Sequence, residues 1–148
     1  DTDGRIDIAV MLAGTAGTLA GVGSYLQEHV PGVQIVGVQP TPDSLSFVPD
    51  AKATIDGVVI FDKPTGCTHP FVVRRNFKYD EVINVKGEDA YATAREVAAS
   101  DGVFLGASAA AALTAAKELA LRPENEGKNI VAILADNGMK YLSTNMYK

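Results

Sequence analysis

The sequence holds a single cysteine, Cys67, so no intramolecular disulfide can staple it, and a reducing, cytoplasmic setting is the default expectation. Cys67 also lacks a set of partners at metal-ligand spacing. His69 stands two residues further on, after the turn-like run Lys63-Pro64-Thr65-Gly66-Cys67, and one such pair does not make a site. No metal is expected, and Cys67 reads as structural. Positive charge is scarce too. With 13 Lys and Arg against 18 Asp and Glu, the formal net charge is -5, whereas a nucleic-acid face needs clustered cations to neutralise phosphates. The nearest basic cluster, Arg74, Arg75 and Lys78, is too small for that and reads as a solvated loop. No stretch approaches the roughly 18 apolar residues of a membrane span, and no secretory signal pattern is present. Neither nucleic acid nor membrane is therefore expected as a partner.

A methionine is missing at the start. The chain opens Asp1-Thr2-Asp3-Gly4 and meets its first apolar run almost at once, which reads as the beginning of a cleaved product, a fragment or a partial stretch.

What is present is an ordinary globular composition, 47% hydrophobic and 21% charged over 148 residues, enough for one compact domain and too little for two. Apolar runs alternate with helical patterns. Strands are expected over 6–12, 33–38, 82–85, 102–106 and 129–134, where short β-branched runs are bounded by turn residues. Helices are expected over 17–30, with Leu19, Val22, Leu26 and Val30 at helical spacing, over 88–99, and from Ser108, as N-cap, to Leu121. The stretch from Pro40 to Asn76 is punctuated by prolines and supports only a short helix over 43–48, and a helix or turn follows Met139. Strands and helices in alternation imply an α/β, three-layer domain over 1–148, with a mostly parallel sheet flanked by helices.

The most informative segment is Ala13-Gly14-Thr15-Ala16-Gly17-Thr18, placed where the first strand ends and a helix begins. A helix N-terminus offers unpaired N–H groups and a partial positive charge, which suits a phosphate. Gly14 and Gly17 would let the backbone curl around the anion, and the Thr15 and Thr18 hydroxyls add donors. Glycines in a strand-to-helix turn can also serve packing alone. Two other phosphate motifs fail here. A P-loop needs Gly-Lys-Ser/Thr, and no lysine follows Gly17. A dinucleotide fingerprint needs Gly-x-Gly-x-x-Gly and an acid after the second strand, whereas Gln39 occupies that place. A smaller, singly phosphorylated ligand survives.

The segment Gly14-Thr15-Ala16-Gly17-Thr18-Leu19-Ala20-Gly21-Val22-Gly23 resembles the GTGGT-x-x-G-x-G phosphate loop of fold type II pyridoxal-phosphate enzymes of the cysteine synthase (O-acetylserine sulfhydrylase) and cystathionine β-synthase group. The resemblance continues in order. Val36-Gly37-Val38-Gln39-Pro40 resembles V-G-V-E-P, and Asp80 to Val85 followed by Glu88-Asp89-Ala90 resembles D-E-V-I-x-V and the acidic helix start. Gly102 to Ala111 resembles E-G-I-x-x-G-x-S-S-G-A, and Asp136 to Thr144 resembles P-D-S-G-E-R-Y-L-S-T.

The resemblance implies that Gly14, Thr15, Ala16, Gly17 and Thr18 bind the phosphate of pyridoxal 5'-phosphate. It also places Asn137 where the family has a serine that hydrogen-bonds the pyridine nitrogen, a task an amide NH2 can perform. Asp136, next door, could instead favour a protonated ring, and Ser108 keeps its place in the family's motif. Ala16 stands where the family has a glycine, harmless only with a negative φ. Asp56-Gly57-Val58 only weakly echoes the family's mobile Gly-x-Gly, and Ala109 and Ala110 replace Ser-Gly.

The Schiff-base lysine belongs to the family's N-terminal half. None of Lys52, Lys63, Lys78, Lys86, Lys117, Lys128, Lys140 or Lys148 sits in matching context, so no catalytic residue is expected in this chain and the chain alone is expected to be inactive. The implied activity is β-replacement on an activated serine by sulfide or a thiol, with an amino-acid substrate, the N-terminal half as partner, and a homodimer. The other readings are a non-catalytic paralogue or fragment that binds a small phosphorylated ligand or a protein, and an unrelated α/β domain.

Overall fold

The computed structural model describes residues 2–63, 69–74 and 76–148. The expectations for Cys67 and for Arg75 lie outside these residues. Among the described residues, four parallel strands form one sheet in the order β3-β2-β1-β4, with β1 Ile8–Leu12, β2 Gln34–Pro40, β3 Glu81–Val85 and β4 Ile130–Ala132. Four helices accompany them: α1 Gly17–His29, α2 Pro70–Arg74, α3 Gly87–Ser100 and α4 Ala107–Ala120. No helix is long and apolar enough to cross a membrane among those residues.

The pleat of β1 explains the layers. Successive side chains of a strand point to opposite faces. Ile8 and Val10 therefore join the core beneath α3 and α4, while Ala9 and Met11 join the core beneath α1. β2 alternates in the same way, with Val36 and Val38 on the first side and Ile35 on the second. A strand buried on both faces reads as a continuous apolar run, and β1 is buried along nearly its whole length. The three-layer α/β arrangement expected from the sequence is the one observed.

α4 is rich in alanine because it lies flat on the sheet. Ala107, Ala109, Ala110, Ala111, Ala112, Ala115 and Ala116 are all buried, and short side chains let helix and sheet approach closely while keeping high helix propensity. α3 packs beside it, and the Thr114 hydroxyl meets that of Thr93 at 2.9 Å. Glu88 and Asp89 occupy the first turn of α3, where negative charge complements the helix dipole.

Several elements differ from the sequence expectation. Residues 102–106 form no strand; Leu105 makes only an isolated antiparallel bridge to Asn137. Apolar residues between glycines suffice to suggest a strand, but the backbone of this segment bonds residues 136–138 and leads into α4. The helix expected over 43–48 is a 3-10 turn, Pro42–Ser44, cut short by the prolines on either side. Ser108 is not the N-cap of α4. Gly106 holds that position, without a side-chain cap of its own, because an acceptor from elsewhere in the chain serves the helix start. On α1, Val22 lies at the flank of the buried stripe and is exposed, while Leu19, Ala20 and Gly23 are buried. Met139 falls in a 3-10 turn, Gly138–Tyr141.

Candidate functional site

The path of the chain through the sheet locates the site. From β1 it moves outward to β2 and β3, then returns through α3 and α4 to add β4 on the other side of β1. In open α/β sheets ligands bind at such a switch point, outside the carboxyl ends of the strands. Val10 pairs with Ala132, and the Ile133 amide donates to the Val10 carbonyl at 3.1 Å. The segments following β1 and β4 therefore leave the sheet side by side. The first carries residues 13–18 and the second carries Asp136 and Asn137.

After β1 the chain is held tightly and then opens. The buried Ala13 accepts a hydrogen bond at its carbonyl from the Val59 amide, 2.9 Å. A Cβ on Gly14 would collide with the Gly57 carbonyl oxygen, so glycine is needed for this close approach of two backbones. Ala16 then takes a left-handed conformation, φ 58 and ψ 13, as N-cap of α1. Its positive φ is the case in which the methyl is not harmless, at a cost of about 1–2 kcal/mol. The methyl itself is buried.

Beyond this turn Thr15, Gly17 and Thr18 are exposed. The Gly17 amide reaches the Thr15 hydroxyl oxygen at 3.4 Å, and no acidic side chain stands in the first turn of α1. A helix start leaves its first amides without helical acceptors, so exposed backbone donors and the hydroxyls of Thr15 and Thr18 stand together at a helix start whose first turn carries no acid. That is the donor set of an anion site.

On the neighbouring segment Asp136 is a hub. Its Oδ1 accepts from the Ala109 amide at 2.7 Å and from the Ser108 hydroxyl at 2.8 Å, and its Oδ2 accepts from the Tyr141 hydroxyl at 2.7 Å. The missing cap of α4 is thus supplied from 27 residues away. A Cβ on Gly106 would run into this carboxylate, which accounts for the glycine at the N-cap. Burial, and then the hydrogen bond to Asp136, push the Tyr141 phenol well above its ordinary range, so it remains a protonated donor.

Asn137 is exposed, and its Oδ1 accepts from the Met139 amide at 3.0 Å. Its NH2 group makes no hydrogen bond to the described residues and is available as a donor.

Two clefts connect these features. One of about 590 Å³ is bordered by Gly14, Thr15, Phe47, Gly57 and Val58. The other, of about 400 Å³, is bordered by Gly57, Ser108, Asp136, Lys140 and Tyr141. Gly57 belongs to both. The structure thus brings residues 14–18 and Asp136 and Ser108 to one end of the sheet. Gly57 as a shared wall and Tyr141 as a partner of Asp136 emerge only in the folded chain. Tyr141 lies within the closing motif, but nothing local to it shows which side chain it meets. Among the described residues no group of three or more His, Cys, Asp or Glu could hold a metal ion.

Comparison with known proteins agrees with this geometry. The profile of the family described as pyridoxal-phosphate dependent enzymes matches residues 1–136. Cysteine synthase 3 of Caenorhabditis elegans is 36% identical over 147 residues, which cover 99% of this chain and 42% of that protein. Cysteine synthase A of Escherichia coli K12 is 32% identical over 149 residues, covering 99% and 46%. Among solved structures, a cysteine synthase from Entamoeba histolytica superposes with a TM-score of 0.79 at 40% identity, covering 99% of this chain and 42% of that one. An O-acetylserine dependent cystathionine β-synthase from Helicobacter pylori superposes with a TM-score of 0.77 at 28% identity, covering 98% and 45%. The chain spans less than half the length of these relatives.

Proposed function

The chain belongs to the family of pyridoxal-phosphate dependent enzymes, and from that premise we propose that it supplies the phosphate and ring-nitrogen contacts of a cysteine synthase-like β-replacement enzyme. One observation carries the reading. The left-handed turn at Ala16 opens α1 with Thr15, Gly17 and Thr18 exposed and no acid in the helix's first turn, on the segment that leaves β1 next to β4, the strand that Asn137 follows.

The residues present fit the cofactor. The amides of residues 15–18 with the Thr15 and Thr18 hydroxyls would hold its phosphate, on a loop that Gly14 lets pack against the Gly57 carbonyl. The Asn137 NH2 would donate to the ring nitrogen. Asp136 has both oxygens engaged by the protein, and the Ser108 hydroxyl hydrogen is directed to Asp136, leaving Ser108 only acceptor capacity toward a ligand. Both therefore frame the cleft. When bound, pyridoxal phosphate would supply an electron sink at the substrate α-carbon; this chain's residues would anchor it.

The substrates that best agree with the named relatives are an activated serine and a sulfide or thiol, giving cysteine or a thioether amino acid. That the relatives are named as enzymes speaks against a non-catalytic paralogue. The reading also includes a homodimer, a cytoplasmic location, and a partner portion, corresponding to the unmatched part of the longer relatives, that brings the Schiff-base lysine. The edge of the sheet at β4 suits that partner: Val103, Ile133 and Leu134 are exposed there, and natural sheets rarely leave an apolar edge uncovered.

Calorimetric titration with pyridoxine 5'-phosphate, which has no aldehyde to react with lysines, tests the cofactor assignment. Binding is expected to be competed by inorganic phosphate and weakened about tenfold or more in a Thr15→Ala/Thr18→Ala variant, the scale of one or two hydrogen bonds to a charged group. No binding by the folded chain, or binding indifferent to those substitutions, overturns it.

A further inference from the structure

We infer that Asp136 is a positioning residue for Asn137: a three-way clamp that sets the angle at which the Asn137 amide meets a ring nitrogen, without touching the ligand itself. The inference rests on the assignment of Asn137 made above and adds the device that makes it work.

Both carboxylate oxygens of Asp136 are engaged, on two different elements. Its Oδ1 holds the first turn of α4 through the Ala109 amide and the Ser108 hydroxyl, and its Oδ2 holds the 3-10 turn Gly138–Tyr141 through the Tyr141 hydroxyl. The backbone of the same residue joins in, since its carbonyl accepts from the Gly106 amide at 3.1 Å. Asn137 is the next residue, and it is fixed from the other side by the Gly138 amide, which donates to the Phe104 carbonyl at 2.9 Å. Residues 136–138 are thereby laid against residues 104–106, and the bridge between Leu105 and Asn137 is the result. Asn137 is exposed and touches little through its own side chain, so its direction is inherited from these neighbours. A hydrogen bond weakens steeply when its angle is lost, and ligand donors held by locked neighbours are the ones that contribute.

The alternative role for Asp136 is direct, as a carboxylate paired with a protonated ring. The two roles separate on the amide variant. In Asp136→Asn, Oδ1 still accepts from Ala109 and Ser108, while the new NH2 donates to the Tyr141 hydroxyl oxygen, so the clamp survives without charge. Asp136→Ala removes it.

The experiment titrates the chain and its variants with two probes, pyridoxine 5'-phosphate and inorganic phosphate, the second of which meets only the loop at residues 14–18. Asp136→Ala and Asn137→Ala should each weaken pyridoxine phosphate several-fold to about tenfold, with inorganic phosphate unchanged. The double variant should be no weaker than Asn137→Ala alone, because both remove the same contact, and Asp136→Asn should bind as the parent does. Tyr141→Phe, which frees one arm of the clamp, should give a smaller loss that also vanishes in the Asn137→Ala background, and it serves if Asp136→Ala does not fold.

Additive losses, a parallel loss of inorganic phosphate binding, or weakened binding in Asp136→Asn would overturn the positioning role. If Asn137→Ala itself leaves pyridoxine phosphate binding intact, the assignment of Asn137 fails instead, and the two failures are distinct.

Discussion

The α-carbon of Gly14 lies against the carbonyl oxygen of Gly57 so closely that no Cβ fits between them. The contact joins the loop after β1 to the stretch that walls both clefts, and the neighbouring bond from the Val59 amide to the Ala13 carbonyl shows that the two backbones are registered. Gly14→Ala must push them apart. It is expected to destabilise the chain by about 1–3 kcal/mol, the usual cost of overpacking, and to weaken phosphate binding together with stability. Denaturant unfolding and phosphate titration on the same sample check it; an unchanged midpoint would mean that the loop stands off residue 57.

Ala16 sets two effects against each other. Glycine would relieve about 1–2 kcal/mol of left-handed strain, but would remove a buried methyl worth about 0.8 kcal/mol and add about 0.5–1 kcal/mol of chain entropy to be lost. Ala16→Gly is therefore expected to leave stability within about 1 kcal/mol. Ala16→Val should cost more than about 2 kcal/mol, since a β-branched residue at positive φ is a genuine outlier. A valine variant as stable as the parent would show that residue 16 is not left-handed.

Much of this fold is legible in the sequence, and the exceptions share a cause. β1, α1 and β2 follow from a short apolar run, a glycine-rich turn and a second apolar run, all local signals. The turn between β1 and α1 is legible for the same reason, since its glycines and threonines are contiguous. Ser108 reads as the cap of α4 because serine is among the preferred N-cap residues. The acceptor that serves that helix is the Asp136 carboxylate, far along the sequence, and no periodicity encodes it. Likewise residues 102–106 are laid against residues 136–138, through the Gly106 amide to the Asp136 carbonyl and the Gly138 amide to the Phe104 carbonyl, and pair with no strand of the sheet. Local chemistry is read from local sequence; the framing of the cleft is tertiary.

The β4 edge gives a third prediction. Val103 and Leu134 are each more than two-fifths exposed, so Val103→Lys and Leu134→Lys should change the stability of this chain by no more than about 0.5 kcal/mol. Charges placed there should nevertheless block association with a lysine-bearing partner portion, because they would be desolvated under a paired strand. Sedimentation of the mixture reads the result. Association that survives both substitutions would place the partner on another face.

Arg122 grips Glu81 with two parallel bonds, 2.8 and 2.7 Å, and reaches Glu118 at 2.9 Å, tying the start of β3 to the end of α4. The hydrogen bonds from Arg122 hold the Glu81 carboxyl below its ordinary value of 4.5, against a smaller opposing effect of burial. A carboxyl lowered in the folded state contributes stability above its unfolded value, which is lost as pH falls through the lowered one. With side chains 29% and 37% exposed, the contribution is at most about 1 kcal/mol after solvent screening. Glu81→Gln should accordingly melt below the parent at neutral pH, with the gap closing as pH drops well under 4.5. A gap that persists in acid would assign the loss to packing.

Gln39 uses both ends of its amide. Nε2 donates to the Asp62 carbonyl and to Asn84 Oδ1, each at 2.9 Å, while Oε1 accepts from the Phe61 amide at 3.0 Å and the Asp62 amide at 2.9 Å. The side chain is buried and fastens residues 61–62 to the carboxyl end of β2, downstream of the wall at Gly57. Glutamate, which the resembling family writes at this place, keeps the two accepted bonds but brings a charge against the Asp62 carbonyl; Asn84 can turn its amide to donate, and the carbonyl cannot. Gln39→Glu should therefore destabilise the chain by about 1–3 kcal/mol at neutral pH. Its carboxyl pKa should be raised in the folded state, so the penalty is present above that value and is relieved as pH falls through it, when the protonated oxygen can donate in place of Nε2. Gln39→Ala leaves the two amides unsatisfied and should show no such recovery. Melting curves of both variants across the acidic range distinguish the cases: equal, pH-independent losses would mean that the amide at position 39 fills space and the network around it carries no weight.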